Sequence, residues 1–138
     1  MTFGGQQKDF WWMITDDCDI HIKRMFKSGD SKKERVTKIT CEELNLLDSY
    51  MSDGGRKSLA NNVKKQVDGT EKPGIGSFLF QELGWSNTDA QLSGHLGVIF
   101  HHAGVWGYNA QKRNIKHWKI SDGWYQMIKK YHKNHLPL

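Results

Sequence analysis

The sequence predicts an α+β fold: an N-terminal β-hairpin followed by a helical domain that carries a second hairpin near its end. Three observations predict it. Residues 18–26 and 34–40 alternate apolar and polar side chains with a period of two. Between residues 40 and 104 the apolar side chains recur at three- and four-residue spacing behind capping signals. Residues 101–124, "HHAGVWGYNAQKRNIKHWKISDGW", set two aromatic and β-branched arms around a polar, basic centre.

Each element has its own warrant. "CDIHIKRMF" alternates Ile20 and Ile22 with His21 and Lys23, and "ERVTKIT" alternates Val36 and Ile39 with charged residues. With "KSGDSKK" between them, a hairpin with a long loop is expected. "DFWWMIT", residues 9–15, reads as a third strand or an apolar lid. Thr40 opens a helix because Glu43, three residues on, completes a capping box; Leu44, Leu47 and Met51 mark its apolar face until "SDGG" ends it. Leu59, Val63 and Val67 predict a second helix over 56–67, and "DGTEKPGIG" is a loop. "SFLFQELG" predicts a short helix closed by Gly84, and "WSN" a tight turn.

Residues 88–104 then predict a longer helix. Thr88 is its expected N-cap, Gln91 completes a second capping box, and Leu92, Leu96, Ile99 and Ala103 share one face. That leaves Gln91, Ser93, Gly94, His95, His101 and His102 for the remaining surface. "VWGY" and "IKHWKI" form the second hairpin around "NAQKRN", with Asn109 and Asn114 serving its turn. Residues 121–134 close the chain as an amphipathic helix capped by Ser121 that buries Trp124, Ile128 and Tyr131. The chain thus reads as a hairpin and linking helix, 1–54, and a helical domain, 55–138, together in one compact unit.

With 37% hydrophobic and 12% aromatic residues, the composition is that of a globular protein. No apolar run is long enough to span a membrane, and no basic segment precedes an apolar one at the N-terminus, so a cytoplasmic address is the expectation. Cys18 and Cys41 lie outside any CxxC pair and read as separate, partly buried thiols, although they flank the first hairpin and could approach. The net charge of +5 is unevenly spread. Residues 1–54 hold eight basic against ten acidic side chains, whereas residues 105–138 hold seven basic against Asp122 alone. His117, His132 and His135 can add to that positive end. Segregation of this kind favours a polyanionic partner, because clustered cations release counterions when they meet phosphate.

The order helix, short helix, tight turn, longer helix, hairpin, closing helix resembles the winged helix-turn-helix superfamily over residues 56–135. "GWSNTDAQLSGHL" at the turn, "HHAGVWGYNAQKRNIKHWKIS" through the wing and "ISDGWYQMIKKY" at the exit carry the resemblance. It implies a nucleic-acid-binding protein with duplex DNA as its first partner. Lys112, Arg113, Lys116 and Lys119 of the wing would contact phosphates. Asn87, Thr88, Gln91 and His95 at the start of the longer helix would face base edges. Two features depart from the pattern: that helix has no Arg or Lys, and a β-rich, acidic segment precedes the domain. Trp106, Tyr108, Trp118 and Tyr125 read as the layer between wing and helix, with stacking on exposed bases as the alternative.

In that reading the acidic N-terminal hairpin is a dimerisation or partner-docking element. A rival reading is a protein-interaction module, an inhibitor or adaptor on the same frame, which the uncharged helix 88–104 with its histidines suits. A third is a small metal-dependent nuclease, since His101, His102, Asn114 and His117 resemble an HNH set in letters. Their order along helix and hairpin does not match, and no HExxH or CxxC is present. We therefore expect a binding protein rather than an enzyme, with no catalytic residues, metal or cofactor.

Overall fold

The computed structural model of the chain describes residue 2, residues 9–28 and residues 30–135. It is a mixed α and β structure with two three-stranded antiparallel sheets. Strands β1 (Trp11–Ile14), β2 (Ile20–Ser28) and β3 (Ser31–Ile39) form the first, in that order. The period-two pattern sorts their side chains. Ile20 pairs with Ile39 and Ile22 with Thr37 across β2 and β3, and Ile20, Ile22, Arg24 and Ile39 are buried on the inner face. Trp11, Met13, Met25 and Val36 lie on the outer face and are exposed. "DFWWMIT" is thus a strand, not a lid. The ladder between β2 and β3 extends to Ser28 opposite Ser31, so the strands run into the stretch expected to be a long loop.

Helix α1 (Cys41–Met51) begins as its capping box predicts: Thr40 Oγ1 accepts from the Glu43 amide, and the Glu43 carboxylate accepts from the Thr40 amide. Leu44, Leu47 and Met51 are buried. The two cysteines, expected as separate thiols, are joined as a Cys18–Cys41 disulfide. The carboxylate of Asp19 accepts from the Cys41 amide at 2.9 Å, which holds the β1–β2 connection against the first turn of α1.

The helix expected over 56–67 is largely something else. Lys57–Ser58 is strand β4, and the helix, α2 (Val63–Asp68), starts only after Asn62 caps it. Val67 is exposed, so the spacing of Leu59, Val63 and Val67 is not a buried face. The cause is a long-range one. β4 adds to the second sheet, and the backbone after it packs against α3 (Ile75–Gln81), where Gly76 donates to the Leu59 carbonyl at 2.7 Å. A Cβ at Gly74 or Gly76 would strike the carbonyls of Ser58 and Ala60, so only glycine permits this approach. Gly84 does adopt the left-handed conformation, at φ 70°, just beyond the end of α3.

The single helix expected over 88–104 is two. Ser86, not Thr88, is the N-cap of α4 (Asn87–Ala90), because Asp89 rather than Gln91 occupies the third position of the first turn and donates its amide to Ser86 Oγ. Gln91 and Leu92 interrupt the path, and α5 (Ser93–His102) follows. Leu92, Leu96 and Ile99 are buried as predicted. Ser93 and His95, placed on the surface by the pattern, are buried too, because packed structure surrounds α5 on more than one side.

Strands β5 (Trp106–Tyr108) and β6 (Lys116–Lys119) form the second hairpin, and β4 completes the sheet in the order β4-β6-β5. Its approach to α5 is close, since a Cβ at Gly97 would strike the His117 ring. Helix α6 (Trp124–Asn134) is capped by Gly123 at φ 76° rather than by Ser121, and it buries Trp124 and Ile128, with Tyr131 half-buried. One hydrophobic core takes Ile20, Ile22, Leu44 and Leu47 from before residue 54 and Leu92, Leu96, Phe100, Trp106 and Trp124 from after it.

Candidate nucleic-acid interface

The start of α4 is where a base-reading helix would offer Asn87 and Thr88. There the inner face of the first sheet makes a knot around Asp89. Arg24 donates to the Asp89 carboxylate at 3.1 Å and to the Thr88 carbonyl at 3.2 Å. Arg35 donates to both Asp89 oxygens at 3.0 Å, and Thr37 Oγ1 donates to the same carboxylate at 3.3 Å. Burial pulls the Arg24 guanidinium below its ordinary range, while the Asp89 charge works the other way. Asn87 is half-buried, and only the side chain of Thr88 stands at the surface. The end of the helix is therefore committed to the protein's own sheet.

Beside this knot lies a cleft of about 480 Å³ bounded by Thr2 and Asp9 near the N-terminus, β2, the β4–α2 segment, the beginning of α5 and the tip of the second hairpin. Three of the residues read from the sequence line it: Gln91, His95 and Lys112. His95 is 8% exposed, with its ring edge-on to Phe10 at 4.7 Å, so it belongs to the floor rather than to an open helix face. Lys65 and Lys72 also line the cleft, together with Arg24 and the acids Asp9 and Glu71. Glu71 is turned inward, accepting from the amides of Asn62 at 2.8 Å and Lys72 at 2.9 Å. Lys65 and Lys72 were not legible as site residues. The misread helix over 56–67 hid the turn that brings them there, and no local motif marks them.

The cations of the second hairpin divide into two pairs. Lys112 and Arg113 are exposed at the tip of a loop built by asparagine: Asn109 donates to the Asn114 carbonyl at 2.9 Å and accepts from the Lys116 amide at 3.1 Å. Lys116 instead reaches Ser58 on β4 at 2.7 Å. Lys119 is engaged by Asp48 at 3.0 Å and Asp122 at 2.9 Å, with its side chain 12% exposed. His117 adds no positive charge near neutral pH. It is fully buried between Gly97 and the Gly107 carbonyl, and burial holds its pKa down to about 4, against the opposing pull of that carbonyl.

Lys33 lies across the ladder from Phe26, which lines the cleft, and Lys32 and Lys33 are exposed. Trp106 is buried as part of the packing layer, whereas Trp118 is only half-buried and has the Arg56 guanidinium over its ring at 4.3 Å. Among the described residues no three His, Cys, Asp or Glu side chains are grouped to hold a metal ion, and no helix is long and apolar enough to cross a membrane. Comparison of the chain with protein-family models, with curated proteins and with solved structures finds no match.

Proposed function

We propose that the chain is a nucleic-acid-binding protein on a winged-helix frame that grips backbone phosphates, duplex DNA first, without reading base sequence through its helix. The frame is supported by the sheet order β4-β6-β5, with α5 packed beneath the two wing strands. One observation carries the function. Lys112 and Arg113 at the wing tip and Lys65 and Lys72 at the neighbouring cleft form no ion pair among the described residues, so their charge is available to a polyanion. The Asp89 knot explains the choice of phosphates over bases, because it removes the helix start from the surface that duplex DNA would meet.

The test is a mobility shift on random duplex DNA across a salt series. Replacing Lys112 and Arg113 by Ala should lower affinity on every sequence alike. The slope of log K against log salt should shrink by roughly 0.9 for each phosphate no longer neutralised. An unchanged slope returns the wing to an ordinary surface hairpin. A nucleic-acid partner would place the protein in the cytoplasm, where the Cys18–Cys41 bond would face a reducing environment.

A second reading, a protein-interaction module or homodimer, has its own observation. Trp11, Met13, Met25 and Val36, between 43% and 55% exposed, share the outer face of the first sheet. Binding of a protein partner with no affinity for duplex DNA at low salt would favour it.

A further inference from the structure

The cleft beside the wing is sized for a small ligand and not for a double helix. About 480 Å³ falls within the roughly 300–1,000 Å³ typical of sites that enclose one small molecule. Its lining brings aromatic, amide and cationic side chains together beside two acids, Asp9 and Glu71. Phe26 contributes a half-buried aromatic ring that has the Arg24 guanidinium over one face at 5.0 Å, which leaves its other face for stacking, and Gln91 and Asn61 contribute amide side chains that make no hydrogen bond among the described residues. Lys65, Lys72 and Lys112 also line it, two of them from the α2 region and one from the wing. An aromatic face stacks on any base, amides pair with base edges, and lysines meet phosphate as point charges. These three functions converge here from four separate parts of the chain.

We infer that this cleft takes one unpaired nucleotide of a single strand, its base against Phe26 and within reach of Gln91 and Asn61, its flanking phosphates at Lys65, Lys72 and Lys112. The inference rests on the nucleic-acid reading above and adds a single-strand preference to it. The floor offers a clean way to close the site. A Cβ at Gly94 would meet only Asn61 and Leu59 at 3.9 and 4.0 Å, ordinary van der Waals distances, so a longer side chain there would project into the space a base would fill.

The experiment measures fluorescence anisotropy of a short labelled oligothymidylate and of a blunt duplex with wild type, Gly94→Leu and Phe26→Leu. The second variant keeps an apolar side chain but removes the ring, which guards against a folding defect in the first. Both variants should weaken oligothymidylate binding by about tenfold and leave duplex binding unchanged. Unchanged oligothymidylate affinity in both, or equal weakening on both probes, overturns the inference. Oligothymidylate binding that the variants abolish, with no duplex binding by wild type, would sink the duplex reading and keep this one. Binding of neither probe overturns both. Thymidine monophosphate serves as competitor. Displacement at concentrations similar to the oligonucleotide would assign the cleft to free nucleotide and overturn the strand assignment, whereas displacement only in large excess supports it.

Discussion

Asp89→Ala should be among the most damaging single changes outside the apolar core. Asp89 is the acceptor for Arg24, whose side chain is 6% exposed, and for Arg35, whose side chain is 45% exposed. The two partners respond differently to its removal. Arg35 stands largely in water, so its pair with Asp89 is worth at most about 1 kcal/mol. Among the described residues Arg24 would be left as a buried cation with the Thr88 carbonyl and the Phe26 ring face but no anion, and breaking a buried pair on one side costs roughly 3–5 kcal/mol. Some relief comes from water entering the space the carboxylate leaves, so about 3 kcal/mol is expected, at the lower end of that range. In urea that corresponds to a midpoint lowered by about 1–2 M at unchanged slope. Arg24→Met removes the charge together with its desolvation penalty and leaves Asp89 to Arg35 and Thr37, so it should cost about 1 kcal/mol or less. The asymmetry between the two variants is what discriminates. An Asp89→Ala protein within about 1 kcal/mol of wild type, or an Arg24→Met protein damaged as much as Asp89→Ala, would refute the account of the knot as a buried charge held by its acceptor.

Two further outcomes follow from the same packing. His117 has its pKa held at about 4 in the folded chain, below its ordinary 6.5, so the unfolded chain binds the extra proton first. Stability should be complete above about pH 6.5 and fall as the pH drops from there to about 4, by about 3 kcal/mol in total from this group, and His117→Gln should flatten that slope in urea titrations. A slope unchanged by the substitution would show that another group drives it. The Cys18–Cys41 bond joins residues separated by 23 positions, so replacing both cysteines by Ser should cost about 3 kcal/mol through the freedom it returns to the unfolded chain. Dithiothreitol should reproduce that destabilisation in wild type and have no effect on the double variant, read by thermal melting.

What the sequence made legible were features whose causes are local. The Thr40–Glu43 capping box lies within a single helical turn, and the strands need only alternation, so α1 and the β2–β3 hairpin could be read directly. Failures came where distant chain decided the outcome. Leu59, Val63 and Val67 have helical spacing, but Ser58 pairs with Lys116 of β6, far along the chain, and Gly74 and Gly76 let α3 press on the segment that follows. His95 and Ser93 sit at positions that an amphipathic helix would expose, yet α5 is buried nearly all round, and nothing inside residues 88–104 reports what will surround it. The site was legible by halves. Lys112 and Arg113 were visible as a basic tip, while Lys119 looked equivalent and is in fact spent on Asp48, which lies 71 residues earlier. Arg24 and Asp89 carried no signal at all as a pair, since each is an ordinary charge in its own element.

The outer strand β3 bears on how the protein behaves when it is concentrated. It is a nine-residue strand at the edge of its sheet. An edge of that length offers an open row of amides and carbonyls to any neighbouring molecule, which makes it a template for continued sheet growth. Lys32, Lys33, Glu34 and Lys38 crowd that edge with charge, three of them positive, while Arg35 is held by Asp89. Two copies approaching edge to edge would therefore bring like charges together before a ladder could form. The cations that dominate β3 thus guard the protein against its own kind.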